Sequence, residues 1–265
     1  SSRDFFPKWM HRKSYSYNYR MKKINTKDYP IFIGSGSCKQ FNFKQYNQVA
    51  VLVDENTAEH ALPYFINTID QTPIFIQIDS GEKHKNIDTC QKIWTKLNNH
   101  NFDRDSLLIN LGGGMIGDIG GFAASTYKRG IDFIQIPTTL LAMADASIGG
   151  KTGINFKNFK NEIGLFKNPK AVLIESVFLK TLPKNELLSG FAEIVKHALI
   201  SDRDYWIEIQ QTSLENMNWE KIIYRSIEIK NHIVNNDPLE KCDRKKLNFG
   251  HTIGHAVESY FLSQG

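Results

Sequence analysis

From Tyr29 onward two kinds of apolar pattern alternate along the chain. Short runs rich in β-branched residues predict strands: "YPIFIGSG", "QVAVLVD" at 48–54, "TPIFIQI" at 72–78, "SLLINLGGG" at 106–114, "DFIQIP" at 132–137 and "AVLIES" at 171–176. Between them, segments such as "TAEHALPYFINTI" and "NIDTCQKIWTKLNNH" repeat apolar residues at helical intervals. Strands and helices in alternation predict an α/β domain with a mainly parallel, Rossmann-like sheet, whose ligands sit at the C-terminal ends of the strands.

After Pro183 the strand signals stop. "NELLSGFAEIVKHALI", "DRDYWIEIQQ", "WEKIIYRSIEIKNHIVNN" and "RKKLNFGHTIGHAVESYF" all read as helices. The expected organisation is therefore an extension over 1–20, an α/β nucleotide-binding domain over 21–180 and an all-α domain over 181–265. The cleft between the two domains is the default site. The extension is basic and aromatic without periodicity; its aromatic density fits a transit peptide badly.

Composition changes this picture little. At 265 residues with 41% hydrophobic and 23% charged, the chain is long enough for a substantial core. The net charge of +5 is spread over scattered lysines, which gives only weak support to a nucleic-acid footprint and is explained equally well by small anionic ligands; no nucleic-acid partner is expected. Three widely spaced cysteines without a CxxC pair argue for a reducing compartment and against a thiolate metal site. No apolar run approaches the roughly 18 residues of a membrane span, and no secretory signal is evident, so the chain reads as cytoplasmic and not membrane-bound.

Three strand-ending loops carry candidate chemistry. In "LGGGMIGD", Leu111 to Asp118, glycines let the backbone approach an anion at a helix start; it satisfies GxGxxG through Gly112, Gly114 and Gly117, but lacks the acidic residue expected about 20 positions on. Asp54, closing an earlier strand, is the better ribose contact. "DSGEKHK" and "PTTLLAMADASIGGKTGIN" follow two other strands, and the glycines beside Lys151 favour a phosphate role for it. In the helical half, Glu193 and Lys196 share one helix face with His197 adjacent, which an internal salt bridge would also explain. His251 and His255 lie one turn apart, so by spacing alone both could reach one metal ion; a carboxylate such as Glu193 beside His251 would equally start a zinc site.

Taken in order, "SGEKHK", "GGGMIGDIGGFAAS", "YKRG", "PTTLLAMADASIGGKTGIN", "KNEIGLF", "LPKNELLSGFAEIVKHALI", "IKNHIVNNDPLE" and "RKKLNFGHTIGHAVE" closely resemble the 3-dehydroquinate synthases of the sugar-phosphate cyclase superfamily, from about Met21 to the last residue. The resemblance implies an NAD- and zinc- (or cobalt-) dependent, dimeric lyase of the shikimate pathway. It would act on 3-deoxy-D-arabino-heptulosonate 7-phosphate, a phosphorylated sugar acid, by transient oxidation, phosphate elimination, reduction and aldol closure. It implies NAD contacts from Asp54, Gly81, Glu82, Lys83, Lys85, Gly113, Gly114, Asp118, Thr138, Thr139, Lys180 and Thr181, with Lys151 and Lys160 near nicotinamide and substrate. It implies metal ligation by Glu193 and His251, with His255 turned toward the substrate. Substrate anions would be gripped by Arg129, Lys151, Lys160, Asn161, Lys196, Lys230, Arg244, Asn248 and His255, Arg129 reaching in from a partner subunit, with Asp145 near the reacting hydroxyls. Asp145, Lys151, Lys196, Asn248 and His255 are the implied catalytic group.

Two departures from the family pattern stand out. Phe159 replaces the usual glycine before Lys160 and Asn161, and the family's third metal ligand and a distal substrate lysine would fall beyond Gly265. The chain is therefore expected to be C-terminally incomplete. A related cyclase or polyol dehydrogenase, and a truncated NAD-binding or interaction module, are the alternatives.

Overall fold

The computed structural model describes residues 21–157, 159–237, 240–250 and 254. β1 (Lys22–Asn25) and β2 (Pro30–Ile33) form an antiparallel hairpin; β3 (Val49–Asp54) leads into two short helices, α1 (Glu55–His60) and α2 (Leu62–Ile66). The apolar pattern at 57–69 predicts one helix, and Pro63 explains the break, since proline is at home in a first turn and disruptive further in. β4 (Ile74–Ile78), α3 (Ile87–Asn99), β5 (Leu107–Gly112), α4 (Gly114–Thr126) and β6 (Asp132–Pro137) continue the alternation.

The segment after Pro137 departs from expectation. In place of a loop, it makes one π-helical turn, Ala142–Ala146, and then a β-hairpin of β7 (Lys151–Phe156) and β8 (Phe159–Phe166) with an irregular register at Ile154–Phe156. β9 (Val172–Ile174) returns to the main sheet; α5 (Lys184–Ser201), α6 (Arg203–Gln211) and α7 (Trp219–Asn236) follow. The stretch from Arg244, expected to be helical, makes a 3-10 turn at Asp243–Asn248 that ends at Phe249; Gly254 is helical, and the rest of the stretch after Gly250 lies outside the described residues.

Among the described residues the main sheet has seven strands in the order β1-β2-β9-β6-β5-β3-β4, all parallel except β1. β3 and β5 are buried along their whole length, so successive residues serve opposite faces. Val51 and Ile109 point into one core layer, Leu52 and Leu108 into the other. The second layer is filled from α3 and α4 by Ile93, Leu97 and Ile119. The first layer runs without interruption from the sheet into the helical half, taking in Ile194, Ala198, Tyr205, Ile223 and Ile227. β3 connects to β4 on one side while β5 begins the run toward the other, which makes the crevice at the C-terminal ends of β3 and β5 the topological switch point.

Candidate active site

A cavity of about 460 Å³ opens at that switch point. Asp54 from the end of β3, Ser80 and Gly81 after β4, Gly113 after β5, Thr138 and Thr139 after β6, and Thr181 line it. Asp54 Oδ1 accepts hydrogen bonds from Thr57 N (2.8 Å) and Thr57 Oγ1 (3.0 Å), a capping box that fixes the carboxylate at the rim. α4 starts on Gly113, which supplies no side-chain cap, so first-turn amides are left for an anionic ligand. A Cβ on Gly113 would sit 3.0 Å from Thr139 Cγ2 and fill the approach; Gly81 has φ 95°, a conformation glycine adopts freely. These features suit an extended ligand with a pyrophosphate at its middle, and a dinucleotide such as NAD fits them.

Not every residue expected at the cofactor lines this cavity. Lys85 is buried and donates to Asp118 Oδ2 and Asn161 Oδ1, each at 2.5 Å, tying the loop after β4 to α4 and to β8. Asn155 adds to the tie by donating to Lys85 O (2.8 Å) and, through its side chain, to Glu82 Oε1 (2.9 Å). Burial raises the Asp118 carboxyl despite Lys85 beside it. Gly114 opens α4, whereas Glu82, Lys83 and Lys180 are exposed around the rim. Lys160 and Asn161 stand on the exposed β8, Asn161 with φ 56°.

A second group lies where the π turn meets the helical half. Lys230, buried on α7, donates 2.6 Å bonds to both Asp145 O and Asp145 Oδ1. Lys196 pairs with Glu193 on the same face of α5 and donates to Leu247 O. His197 is fully buried; its Nδ1 lies 2.5 Å from Ser226 Oγ, and its Nε2 has no hydrogen-bond partner among the described residues. That nitrogen lies 3.7 Å from both Asp145 Oδ1 and Glu193 Oε1.

Asp145, Glu193 and His197 thus offer three ligand atoms within 4.8 Å of one another, a carboxylate and imidazole donor set that suits zinc. Burial drives the His197 pKa down to about 3, which keeps the imidazole neutral and able to donate its lone pair. Burial would raise the Asp145 carboxyl, but Lys230, His197 and Lys196 together hold it well below the usual carboxylate range. Burial and the neighbouring Asp145 raise Glu193. His197 entered the sequence reading only as a neighbour of Glu193. Its helical position there gave no sign that the π turn would bring Asp145 to the same point. His251 and His255 lie outside the described residues.

A third group surrounds Lys151, at the start of β7. Its ammonium pairs with Glu240, whose other oxygen accepts from Asn248 Nδ2 at 2.8 Å. Arg244 is buried, with Nη2 3.3 Å from Gly149 O, and Tyr29 OH accepts from Gly149 N at 3.1 Å. Arg129 is not brought to any of these groups. It follows the 13-residue α4 at the end opposite Gly113, roughly 20 Å away at 1.5 Å per residue. It sits in a turn where Lys128 and Arg129 both have positive φ.

Residues 75–189 match the family described as 3-dehydroquinate synthase N-terminal, and residues 190–264 the family described as 3-dehydroquinate synthase C-terminal. A 3-dehydroquinate synthase of Parabacteroides distasonis is 46% identical over 81% of this chain and 62% of its own length. One from Buchnera aphidicola subsp. Baizongia pistaciae is 42% identical over 92% of this chain and 72% of its own. Among solved structures, 2-epi-5-epi-valiolone synthase from Streptomyces hygroscopicus, with NAD+ and Zn2+ bound, is similar with a TM-score of 0.75 at 26% identity, over 88% of this chain and 68% of that one. The chain spans less than two thirds of the length of the first of these relatives.

Proposed function

The chain belongs to the 3-dehydroquinate synthase family, and from that premise we propose that it converts 3-deoxy-D-arabino-heptulosonate 7-phosphate to 3-dehydroquinate and phosphate in the cytoplasm, as a homodimer. The observation that carries this reading is the convergence of three groups around the strand ends: a glycine-lined cavity, a buried carboxylate and histidine cluster, and a set of cations near Lys151. NAD and a divalent metal, when bound, would supply reversible oxidation of a substrate alcohol and Lewis-acid activation of its oxygens.

The protein's own residues have separable tasks. Asp54 would hold a ribose hydroxyl and the start of α4 a pyrophosphate, which orients the dinucleotide along the strand ends. Glu193, with Asp145, His197 and the expected His251, would hold the metal; a divalent cation there competes with the Lys196 ammonium for Glu193. Lys230 keeps Asp145 ionised, so that its carboxylate can ligate the metal or accept a hydrogen bond from a substrate hydroxyl. Lys151 and Arg244 would neutralise the phosphate and carboxylate of the substrate and the Asn161 and Asn248 amides would donate hydrogen bonds to them, with His255 beside them and Arg129 contributed by a second subunit.

The deciding experiment is release of inorganic phosphate from the heptulosonate phosphate by the purified chain with NAD and Zn2+. Phosphate release without net NADH supports the reading. Net NADH from a polyol would mark a dehydrogenase, and NAD binding without turnover would leave a binding module.

A further inference from the structure

The turn between β1 and β2 touches the loop that carries Lys151 at two points. Tyr29 closes that turn. Its backbone is locked to Thr26, whose Oγ1 accepts from Tyr29 N (3.0 Å) and donates to Tyr29 O (2.7 Å). Pro30 behind it further favours an extended backbone. The side chain therefore leaves the turn in a fixed direction, and its buried hydroxyl accepts from Gly149 N at 3.1 Å. Beside it, Asp28 accepts from Asn168 Nδ2 at 2.8 Å, and Asn168 packs against Gly150 so closely that a Cβ there would run into its Oδ1.

The loop needs such an outside hold. Gly149 and Gly150 have φ 96° and 67°, and two successive glycines leave a backbone more freedom than any other pair. Lys151 follows directly, so the direction in which it leaves the loop is set by whatever pins them. Gly149 is gripped on both sides: Tyr29 takes its N–H, and Arg244 Nη2 lies 3.3 Å from its carbonyl oxygen and fills the space a Cβ would need. Lys167 N closes the loop on Gly150 O at 2.8 Å. Burial raises the Tyr29 phenol, against the pull of the Gly149 bond and of Arg244, so the hydroxyl stays neutral and brings no charge to compete for either cation.

We propose, on the reading that Lys151 and Arg244 take substrate oxyanions, that Tyr29 is a positioning residue of the substrate site: its hydroxyl fixes Gly149 and, through it, the two cations in the arrangement that receives the anion. Without that bond the glycine pair regains its freedom, and an arriving oxyanion has to order the loop as it binds. The loss falls on the anion and not on the dinucleotide, because the lining of the cavity at Asp54 and Gly113 includes neither Tyr29 nor Gly149.

The test is titration of the NAD-loaded protein with inorganic phosphate, comparing wild type with Tyr29→Phe, which keeps the buried ring and removes only the hydroxyl. Phosphate affinity should fall by about threefold to tenfold, the weight of one buried hydrogen bond, with NAD affinity held within about twofold. In a Lys151→Met background the same change should have a smaller effect, since one of the positioned cations is gone. Hydrogen exchange over residues 148–152 reads the brace by itself and should speed up in Tyr29→Phe. Asn168→Ala, which spares the core, should act in the same direction by less, and decides by the same readings should Tyr29→Phe not fold. Exchange that stays at the wild-type rate, or a loss of NAD affinity equal to the loss for phosphate, overturns the proposal. So does unchanged phosphate affinity in Tyr29→Phe where Lys151→Met alone weakens it. Phosphate affinity indifferent to Lys151→Met defeats instead the assignment of Lys151 to substrate anions, and the brace is then judged on exchange.

Discussion

Lys230 Nζ holds Asp145 twice, through the backbone carbonyl and through the side chain, at 2.6 Å each. A lysine from α7 thereby clamps the π turn that follows the sheet, and neither partner's sequence neighbourhood announces the other. Lys230→Met should leave the ionised Asp145 without its principal cation and cost about 3–5 kcal/mol of stability in urea unfolding. The further change to Asp145→Asn should recover part of that loss, because the uncompensated charge is gone.

Gly120 packs α4 onto β5 so closely that a Cβ would overlap Asn110 Oδ1 and lie 2.8 Å from Leu52 Cδ2. Asn110 is buried, and its amide has no hydrogen-bond partner among the described residues, so it has no slack interaction to trade for space. Gly120→Ala should destabilise by about 1–3 kcal/mol despite alanine's better helix propensity. Gly117→Ala, whose Cβ would meet Gln135 Oε1 at 3.1 Å, should be milder. Melting temperatures of the two variants give the comparison directly.

The strands and their glycine-rich ends were legible because β3 and β5 are continuous apolar runs closed by Asp54 and Gly112–Gly113, and burial on both faces leaves no polar alternation to confuse. β7 and β8 were not legible. β8 is exposed along most of its length, and its lysine, asparagine and glutamate residues read as loop composition. The positive φ at Lys157 and Asn161 and the register irregularity at Ile154–Phe156 further dilute any strand signal. The Lys151–Glu240 pair was missed for a different reason: a lone glutamate in "DPLEKCDR" has no spacing that points to Lys151.

Asp54 combines a cap and a cofactor contact, and the two can be separated. Asp54→Asn keeps a good N-cap acceptor for Thr57, so stability should change by less than about 0.5 kcal/mol. Loss of the carboxylate should weaken NAD binding by about tenfold, as expected for a hydrogen bond to a charged group. Thr57→Val should show the converse, a stability loss with the carboxylate retained. Fluorescence titration with NAD beside urea unfolding distinguishes the two roles, and an unchanged NAD affinity in Asp54→Asn would remove Asp54 from the cofactor site.

Without metal, stability should depend on His197. Burial pushes its pKa down to about 3, from 6.5 for an ordinary histidine, so below pH 6.5 the unfolded chain takes up a proton that the native protein refuses. The resulting stabilisation is complete above pH 6.5 and declines as the pH falls, by up to about 1.4 kcal/mol per pH unit. Glu193, raised by burial, works in the opposite sense above pH 4.5 and offsets part of the slope. Urea midpoints in chelator should therefore drop between pH 7 and pH 5, and His197→Gln should flatten the profile. A wild-type midpoint that stays level over that range would count against a neutral buried His197.

The order of strands in space also dictates an order in time. β2 lies against β9, and Ile31 to Ile33 cannot find Val172 to Ile174 until that distant strand has been synthesised. A nascent chain can pair β3, β4, β5 and β6 as they emerge, while the β1–β2 hairpin waits with one apolar edge uncovered until β9 follows. On the ribosome, the first two strands of this sheet to emerge are therefore the last to be built into it, and the interval before β9 emerges is when a chaperone has most to protect.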